Sequence, residues 1–460
     1  MNNNSANGLR TIRPNDPEYS AASACKNSRI RKHPSEIIFC TSEQDVLQAM
    51  HYVVSHELPF VIRSGGHSYE GYSLIDDGVV VDLSEMSSIS VDAKGKIASV
   101  QSGASLQKLQ AELAKHNLAL PAGTCNTVGI AGITLGGGYG LISRKHGLTV
   151  DKLKSVRLLL DYSKFEEVSP LHHDDLFWAC TGGGGGNFSV ASEFSFQCVD
   201  ASPAISFRLD WSSNQMRCAV NAWQNWAPFV DERLTSLLII ATQGKHKVYC
   251  IGLFLGGKSE LKSLTKTLIE ACSPPPTLTL DQHSILDASI QHNVSRVGAE
   301  DIGVEGRFSL NFQDGVSRFK NTSDFIANAL PANCLDTINH FWNTPPPGQA
   351  ILQFDAYGGA INAVGTDKTA FPHRGNTLFS IQYQTYWERE KDDAQCIEWI
   401  RALRTAMQPF VRGDTYVNYC DADLTDYEKR YFSSNLDRLR EIKQKYDPKN
   451  FFRFPQSIRT

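Results

Sequence analysis

Apolar positions in the first third of the chain switch between two periods. Val46, Leu47, Met50, Val53 and Val54 recur at helical spacing behind Ser42, a residue suited to capping a helix start, and Pro59 closes the stretch. Phe60, Val61 and Ile62 then form a short continuous apolar run, the mark of a buried strand, which leads into Arg63, Ser64, Gly65, Gly66 and His67. Backbone free of side chains directly after a strand leaves room for a ligand. The runs 79–83, 89–91 and 97–100 read as further strands, the last two joined by a hairpin loop over 92–96, and a helix is predicted over 106–116.

The pattern then breaks. Residues 121–140 hold seven glycines, and each costs roughly 0.5–1 kcal/mol relative to alanine inside a helix or strand, so stability alone does not account for them. Close approach to the backbone does. A second cluster, Gly182 to Gly186 with Asn187 and Phe188 behind it, sits between the apolar runs 176–179 and 194–196. Two such clusters in one half of the chain point to one extended ligand. From about residue 200 the texture changes to long alternating apolar segments, with prolines 274–276 and 345–347 marking loops, which predicts a second domain of antiparallel sheet and helices. Near the end, Tyr416, Val417, Asn418 and Tyr419 precede a charged helix over Leu436–Tyr446 that stops at Asp447 and Pro448.

Composition narrows the function classes. A chain of 460 residues with 41% hydrophobic and 20% charged positions has material for two to three domains. Lys and Arg number 45 against 49 Asp and Glu, so the electrostatic footprint of a nucleic-acid or anionic-membrane partner is missing. No apolar run approaches the ~18–20 residues that span a bilayer, and 237–241 fits a buried strand instead. Met1 to Ser5 lack the basic start and apolar stretch of a secretory leader, so a cytoplasmic location is expected. The 11 cysteines are scattered, odd in number and without a C-x-x-C pair, which signals neither a disulfide framework nor a zinc site. His172, His173, Asp174 and Asp175 precede Leu176, Phe177 and Trp178 as a solvated helix start does, and no metal is assigned to them.

Gly136 to Gly140, with Asp161 roughly twenty residues on, invites a dinucleotide-binding reading. It fails on spacing, G-G-G-x-G instead of G-x-G-x-x-G, and on the glycine-broken sequence where a first strand belongs. A different resemblance covers nearly the whole chain in collinear order. The segments 63–69, 123–140, 182–188, Phe371-Pro372-His373-Arg374, Tyr416-Val417-Asn418-Tyr419 and Pro455-Gln456-Ser457-Ile458 look like the berberine bridge enzyme-like family, flavoproteins with the vanillyl-alcohol-oxidase (PCMH) type of FAD domain. That resemblance implies an α+β fold. An FAD-binding domain would occupy 1–199, a substrate domain with a large antiparallel sheet 200–412, and a C-terminal segment, 413–460, would return to the FAD domain.

In that family a histidine and a cysteine bond covalently to the flavin, at the 8α-methyl and at C6, and the motifs place these roles on His67 and Cys125. The residue types agree, since an imidazole on a glycine turn and a thiol between Gly123 and Gly129 approach a flat ring without steric competition, and a thiolate is a competent nucleophile. The resemblance surrounds the cofactor with Ser64, Gly65, Gly66, Ser68, Gly123, Thr124, Val128, Gly129, Gly132, Gly136, Gly137, Gly140, Gly185, Gly186, Asn187, Val190, Tyr416 and Asn418. Their backbone N–H groups would meet the pyrophosphate as anion nests do. Arg63 stands as a phosphate partner or as a strand-end charge.

For the chemistry, Tyr419 matches the family's usual base, and Asp355 resembles the acidic partner of its carbohydrate oxidase branch, which accepts the phenolic hydrogen. Gln382 matches a further active-site position, and Tyr69 and Tyr139 match positions that line the site. Ser380 replaces the glutamate base of berberine bridge enzyme itself, against alkaloid ring closure. Val128 is the family's choice where dioxygen is admitted, which favours an oxidase. Ile133 stands where most members carry a histidine, and removes a donor that would stabilise negative charge on the ring. The implied activity is an FAD-dependent oxidation of a small-molecule hydroxyl, a sugar hemiacetal to a lactone, with O2 reduced to hydrogen peroxide. The alternatives are a secondary-metabolite tailoring oxidase acting on a phenolic, polyketide or alkaloid alcohol, and a protein that only retains flavin.

Overall fold

The computed structural model describes residues 8–242, 247–283 and 318–460; the polar start at 1–5 lies outside them. Three sheets of four or more strands organise the described residues. The first has the spatial order Arg10–Ile12, Glu36–Phe39, Val79–Asp82, Phe60–Arg63, parallel throughout except for the edge strand Arg10–Ile12. Helix Glu43–Ser55 supplies the crossover that parallel strands need. Ser42 and Asp45 cap it reciprocally, and Val46, Ala49, Met50 and Val53 press its apolar face onto the sheet.

The second sheet is antiparallel, in the order Ile89–Asp92, Ile97–Gln101, Ala191–Gln197, Leu153–Leu160, Lys164–Val168. Its core also takes Phe432, Leu439, Ile442 and Ile458 from the last 50 residues, so the end of the chain packs back onto the first half. The helix Leu436–Tyr446 supplies two of these contacts, and its buried Lys443 ammonium is satisfied by Asp447 and by the carbonyls of Asn187 and Phe452.

The third sheet has seven antiparallel strands in the order Thr277–His283, Ala204–Trp211, Val248–Phe254, Leu234–Ala241, Gln349–Ala356, Phe379–Trp387, Arg318–Ile326. Side chains alternate across it. Leu352, Phe354, Ile381 and Tyr383 pack beneath the helices Met216–Trp226, Lys258–Glu270, Ala332–Asn343 and Asp393–Met407, whereas Leu237, Ile239 and Ile351 meet Leu141 and Ile142 of the first half. The fold is α+β, and the sheet face opposite the helices is turned toward the glycine-rich segments.

Two expectations are corrected. The segment 121–140, whose glycines are too many for a helix or strand chosen for stability, nevertheless contains the one-and-a-half-turn helix Ile130–Leu135, capped by Gly129 and ended at Gly136. Its Ile130, Ala131 and Thr134 are buried, and that packing outweighs the intrinsic cost of Gly132. Cys218 and Cys272 form a disulfide between helix Met216–Trp226 and the residues just after Lys258–Glu270, although no framework was signalled by cysteine spacing. Disulfides persist in oxidising compartments, which sits against a cytoplasmic location. Among the described residues, no helix is long and apolar enough to cross a membrane.

Candidate active site

Between the three sheets lies a cavity of about 350 Å³. Strand Phe60–Arg63 delivers Ser64 to Tyr69 to one wall, and the loop before helix Ile130–Leu135 delivers Gly123 to Gly129 to the same wall. The two loops touch backbone to backbone. A methyl group built on Gly65 would come within 2.5 Å of the Gly129 nitrogen, and one built on Gly129 within 2.8 Å of the Gly65 Cα. Only glycine at both positions permits that approach, and its consequence is that His67 and Cys125 line one cavity.

Other glycines face space instead of protein. Nothing lies within 4 Å of a methyl placed on Gly132, and at Gly185 only Leu135 does, at 3.7 Å. Both line the cavity, as do Gly184 and Gly186 of the second cluster. Bare backbone turned toward a deep groove is a cradle that a side chain would fill, and it fits the flat ring and pyrophosphate of FAD.

The sheet and the C-terminal segment close the opposite side. Alternation along Gln349–Ala356 and Phe379–Trp387 aims Gln353, Asp355, Gln382, Gln384 and Tyr386 at the cavity. The turn Val417–Tyr419 adds Tyr416, Asn418 and Tyr419. The Tyr69 and Tyr419 rings are parallel within 2°, with centroids 5.7 Å apart, and Tyr416 meets Tyr419 edge-on at 4.9 Å. Gln382 Nε2 donates to the Tyr69 hydroxyl at 3.0 Å, and the Tyr139 hydroxyl donates to the Ala356 carbonyl at 3.0 Å.

Burial dominates the electrostatics. It pushes the His67 imidazole down to about 4, helped by the Lys26 charge and opposed by a hydrogen bond to the Thr127 backbone, so the ring is neutral at pH 7. The Cys125 thiol is pushed up to about 11, again by burial, with Lys26 acting in the opposite sense. Burial raises Asp355 to about 6 against hydrogen bonds from Gln353 and Ser380. Tyr69, Tyr139 and Tyr419 all lie well above the ordinary phenol value through burial, with the Asp355 charge adding to the effect on Tyr139 and Tyr419.

Of the site residues expected from sequence, His67, Cys125, Tyr419, Asp355, Tyr69, Tyr139 and Gln382 share the cavity, together with Ser64, Gly65, Gly66, Ser68, Gly123, Thr124, Val128, Gly129, Gly132, Gly185, Gly186, Asn187, Tyr416 and Asn418. Five lie off its wall. The Arg63 guanidinium is bound to Asp82 and to the Ala22 carbonyl, the strand-end charge of its two readings. Gly136 makes room for the Asn418 amide, Gly137 for the Phe371 ring and Gly140 for the Ala122 carbonyl, so these glycines serve chain packing. Val190 is in the core beside Leu159 and Phe452. Asp355 also differs in its partners: its two oxygens accept from Gln353 Nε2 at 2.8 Å and Ser380 Oγ at 3.2 Å, not from Tyr419. The Phe371-Pro372-His373-Arg374 motif lies outside the cavity as well. There His373 stacks on Phe325 at 4.1 Å and Arg374 pairs with Asp151 at 2.7 Å.

Gln353, Gln384, Tyr386, Arg453 and Phe454 line the cavity without having been singled out. Period-two reasoning from Asp355 and Gln382 reaches the first three, since each stands two or four residues away on the same strand face. Nothing local marks Arg453.

Residues 34–169 match the family model described as FAD binding domain, and residues 415–459 match the model described as Berberine and berberine like. Together with the cradle, these matches make the protein an FAD-linked oxidoreductase. An uncharacterized FAD-linked oxidoreductase of Bacillus subtilis (strain 168), YgaK, is 36% identical over 98% of this chain and 96% of its own. Berberine bridge enzyme-like 24 of Arabidopsis thaliana is 30% identical over 87% of this chain and 78% of its own. The chain belongs to the berberine bridge enzyme-like family. Among solved structures, Physcomitrella patens BBE-like 1 superposes with a TM-score of 0.88 at 29% identity, covering 98% of this chain and 97% of that one. A chitooligosaccharide oxidase gives 0.87 at 26% identity over 98% and 97%. Phl p 4, a grass pollen allergen with glucose dehydrogenase activity, gives 0.87 at 28% identity over 98% and 96%.

Proposed function

We propose that the protein is an oxidase that holds FAD through covalent bonds from both His67 and Cys125 and oxidises a sugar hemiacetal to its lactone. We take 1–199 with 413–460 as the FAD domain and 200–412 as the substrate domain, a division supported by the shared core of the first and last segments. The observation that carries the reading is the convergence of His67, Cys125, Asp355 and Tyr419, from four separate segments, on one cavity. The carbohydrate oxidase and glucose dehydrogenase among the similar structures support the substrate class. An Ile-to-Val variant of Phl p 4 is described as a glucose oxidase, which fits the reading of Val128 as admitting dioxygen.

When bound, FAD supplies the acceptor for the substrate hydride and passes the electron pair to dioxygen, which leaves as hydrogen peroxide. The chain handles the proton. Loss of hydride from the hemiacetal carbon leaves an O–H proton that needs a base, and Tyr419 faces the cavity beside the charge of Asp355. A phenol held far above 10 is almost wholly protonated, so it accepts a proton only by giving up its own. Asp355 is the one carboxylate on the cavity wall and takes that second proton: its charge acts on Tyr419, to which it is not hydrogen-bonded, and each of its oxygens keeps a lone pair beyond those given to Gln353 and Ser380. Neutral His67 keeps a nucleophilic nitrogen for attachment, and Lys26 favours the thiolate that Cys125 needs.

Acid denaturation of the purified protein tests attachment, with yellow colour expected in the pellet and a changed flavin spectrum in Cys125→Ala. Colour left in the supernatant removes the covalent reading, and an unchanged Cys125→Ala spectrum removes the Cys125 bond alone. A panel of aldoses assayed for peroxide tests the substrate. Peroxide from a phenolic or polyketide alcohol but from no sugar removes the carbohydrate assignment.

A further inference from the structure

Lys320 sits on the sheet-edge strand Arg318–Ile326, is 4% exposed, and has no part in the chemistry above. Its ammonium lies 2.7 Å from Glu70 Oε1, bonds the carboxylate of Asp421, and has Asp423 Oδ2 at 3.4 Å. Glu70 directly follows Tyr69 in the chain, and Asp421 comes two residues after Tyr419. One cation from the substrate sheet therefore grips, next to their side chains, the two backbone segments that carry the parallel phenol rings.

We propose that Lys320 is a positioning residue that sets the Tyr69–Tyr419 stack by drawing Glu70 and Asp421 together; its catalytic consequence rests on Tyr419 being the base. The other ionic contacts hold each half but do not join them, and the link between the two segments besides Lys320 is the uncharged Cys420 thiol, 3.8 Å from Ser68 Oγ and hydrogen-bonded to the Tyr69 and Glu70 backbone. Arg29 pairs with Glu70 at 2.8 Å, Asn27 donates to the Tyr69 carbonyl, and the Asp421 N–H donates to the Tyr431 hydroxyl at 3.1 Å. Gln456 donates to the Asp421 carbonyl, Arg401 pairs with Asp423, and Arg404 stands 4.0 Å from Asp421. Among the described residues, only Lys320 ion-pairs with both carboxylates.

Without the ammonium, two buried carboxylates would face one another across the space it filled, and like charges in such a site repel until one takes a proton. The neighbouring groups Tyr72, Cys420 and Tyr431 carry no positive charge; Arg29 stays paired with Glu70 at 2.8 Å, Arg401 with Asp423 at 2.6 Å, and Arg404 lies 4.0 Å from Asp421, but none of the three ion-pairs with both Glu70 and Asp421. Repulsion pushes Tyr69 and Tyr419 apart at high pH, and protonation at low pH lets them return.

The test uses holoenzyme of Lys320→Met and of Lys320→Met with Glu70→Gln, compared with the parent at pH 8 and pH 5.5. Crystal structures are expected to show the ring separation of 5.7 Å widened in the single variant at pH 8 and restored by Glu70→Gln. With an aldose that the parent oxidises, kcat of the single variant is expected to fall about tenfold at pH 8 with KM nearly unchanged, to fall less at pH 5.5, and to recover in the double variant. An unmoved stack at pH 8, or a kcat loss equal at both pH values and not reversed by Glu70→Gln, overturns the proposal. If Lys320→Met does not fold, Glu70→Leu alone decides, since leucine cannot accept from the ammonium and so releases the Tyr69 side of the clamp, and parental kcat and ring spacing there would overturn it. If the parent oxidises no aldose, the proposed substrate fails while the ring spacing still decides the clamp.

Discussion

Alanine at Gly65 and alanine at Gly132 are expected to act in opposite ways, and the contrast separates glycines that hold the chain together from glycines that face the cofactor. The methyl at 65 would lie 2.5 Å from the Gly129 nitrogen and 2.7 Å from its Cα. Ordinary contacts fall near 3.5–4.0 Å, so the two loops would have to separate by about 1 Å, and overpacking of this kind costs roughly 1–3 kcal/mol. The methyl at 132 meets no protein atom within 4 Å. Inside helix Ile130–Leu135, alanine is favoured over glycine by up to about 1 kcal/mol, so the empty chain should be at least as stable as the parent. The same methyl enters space that the cofactor would occupy, and a weakening of tenfold or more, about 1.4 kcal/mol, is expected. The assay combines each change with His67→Ala and Cys125→Ala, so that flavin can be removed. Calorimetric melting of the flavin-free chain and titration with FAD then read the two effects separately. Gly65→Ala should lower the melting temperature of the flavin-free protein, and Gly132→Ala should leave it unchanged or raise it while weakening FAD. Parental FAD affinity in Gly132→Ala would refute the cradle argument.

Asp355→Asn should abolish the acid limb of kcat/KM, which in the parent is expected to rise as pH increases through about 6, and should lower the rate by about 10²-fold; a limb that persists assigns it to another group. Because burial raises this carboxyl above 3.8, its ionisation opposes folding as pH rises through about 6, so Asp355→Asn should melt above the parent at pH 8, by up to roughly 3 kcal/mol, and alike at pH 4. Tyr419→Phe should cut kcat by about 10²–10⁴-fold with unchanged flavin content, and a loss confined to KM would make the phenol a binding group only. Ile133→His should raise the flavin midpoint potential by roughly 30–60 mV, the worth of one charge-assisted hydrogen bond in a two-electron couple. Dye-linked reductive titration measures that shift, and an unchanged potential places residue 133 away from the ring.

The elements legible in advance were those whose burial pattern has a clean period. The helix behind Ser42, the strands at 60, 79 and 97, and the final helix Leu436–Tyr446 all occur where spacing and caps put them. Helix Ile130–Leu135 was hidden because its glycine is tolerated through contacts made by Ile130, Ala131 and Thr134, and those contacts come from outside the segment. The disulfide was hidden for the same reason: Cys218 and Cys272 are 54 residues apart and meet only because two helices lie side by side on the sheet. Within the site, motif position singled out His67, Cys125 and Tyr419, which line the cavity, but composition could not sort the glycines. Gly132 and Gly136 look alike in sequence and differ in what stands opposite, open space for one and the Asn418 amide for the other. Arg63 was ambiguous because its partner, Asp82, lies on a neighbouring strand whose register is not readable from either segment alone.

That fate of Arg63 bears on how the cavity meets a doubly charged pyrophosphate. Its wall carries one carboxylate, Asp355, and one guanidinium, Arg453, which is exposed. His67 is neutral at pH 7, Cys125 is a thiol, and the tyrosines are phenols, so the inner wall is almost free of formal charge. A wall of that kind leaves most of the anion recognition to backbone dipoles, which requires backbone unobstructed by side chains, and Gly132, Gly185 and Gly186, where a methyl would meet no protein atom closer than 3.6 Å, provide it. It also places Asp355 where its ionisation is the largest electrostatic change available near neutral pH. Buried, raised to about 6 and adjacent in charge to Tyr419, it is the group through which pH would govern proton removal, whichever hydroxyl enters the cavity.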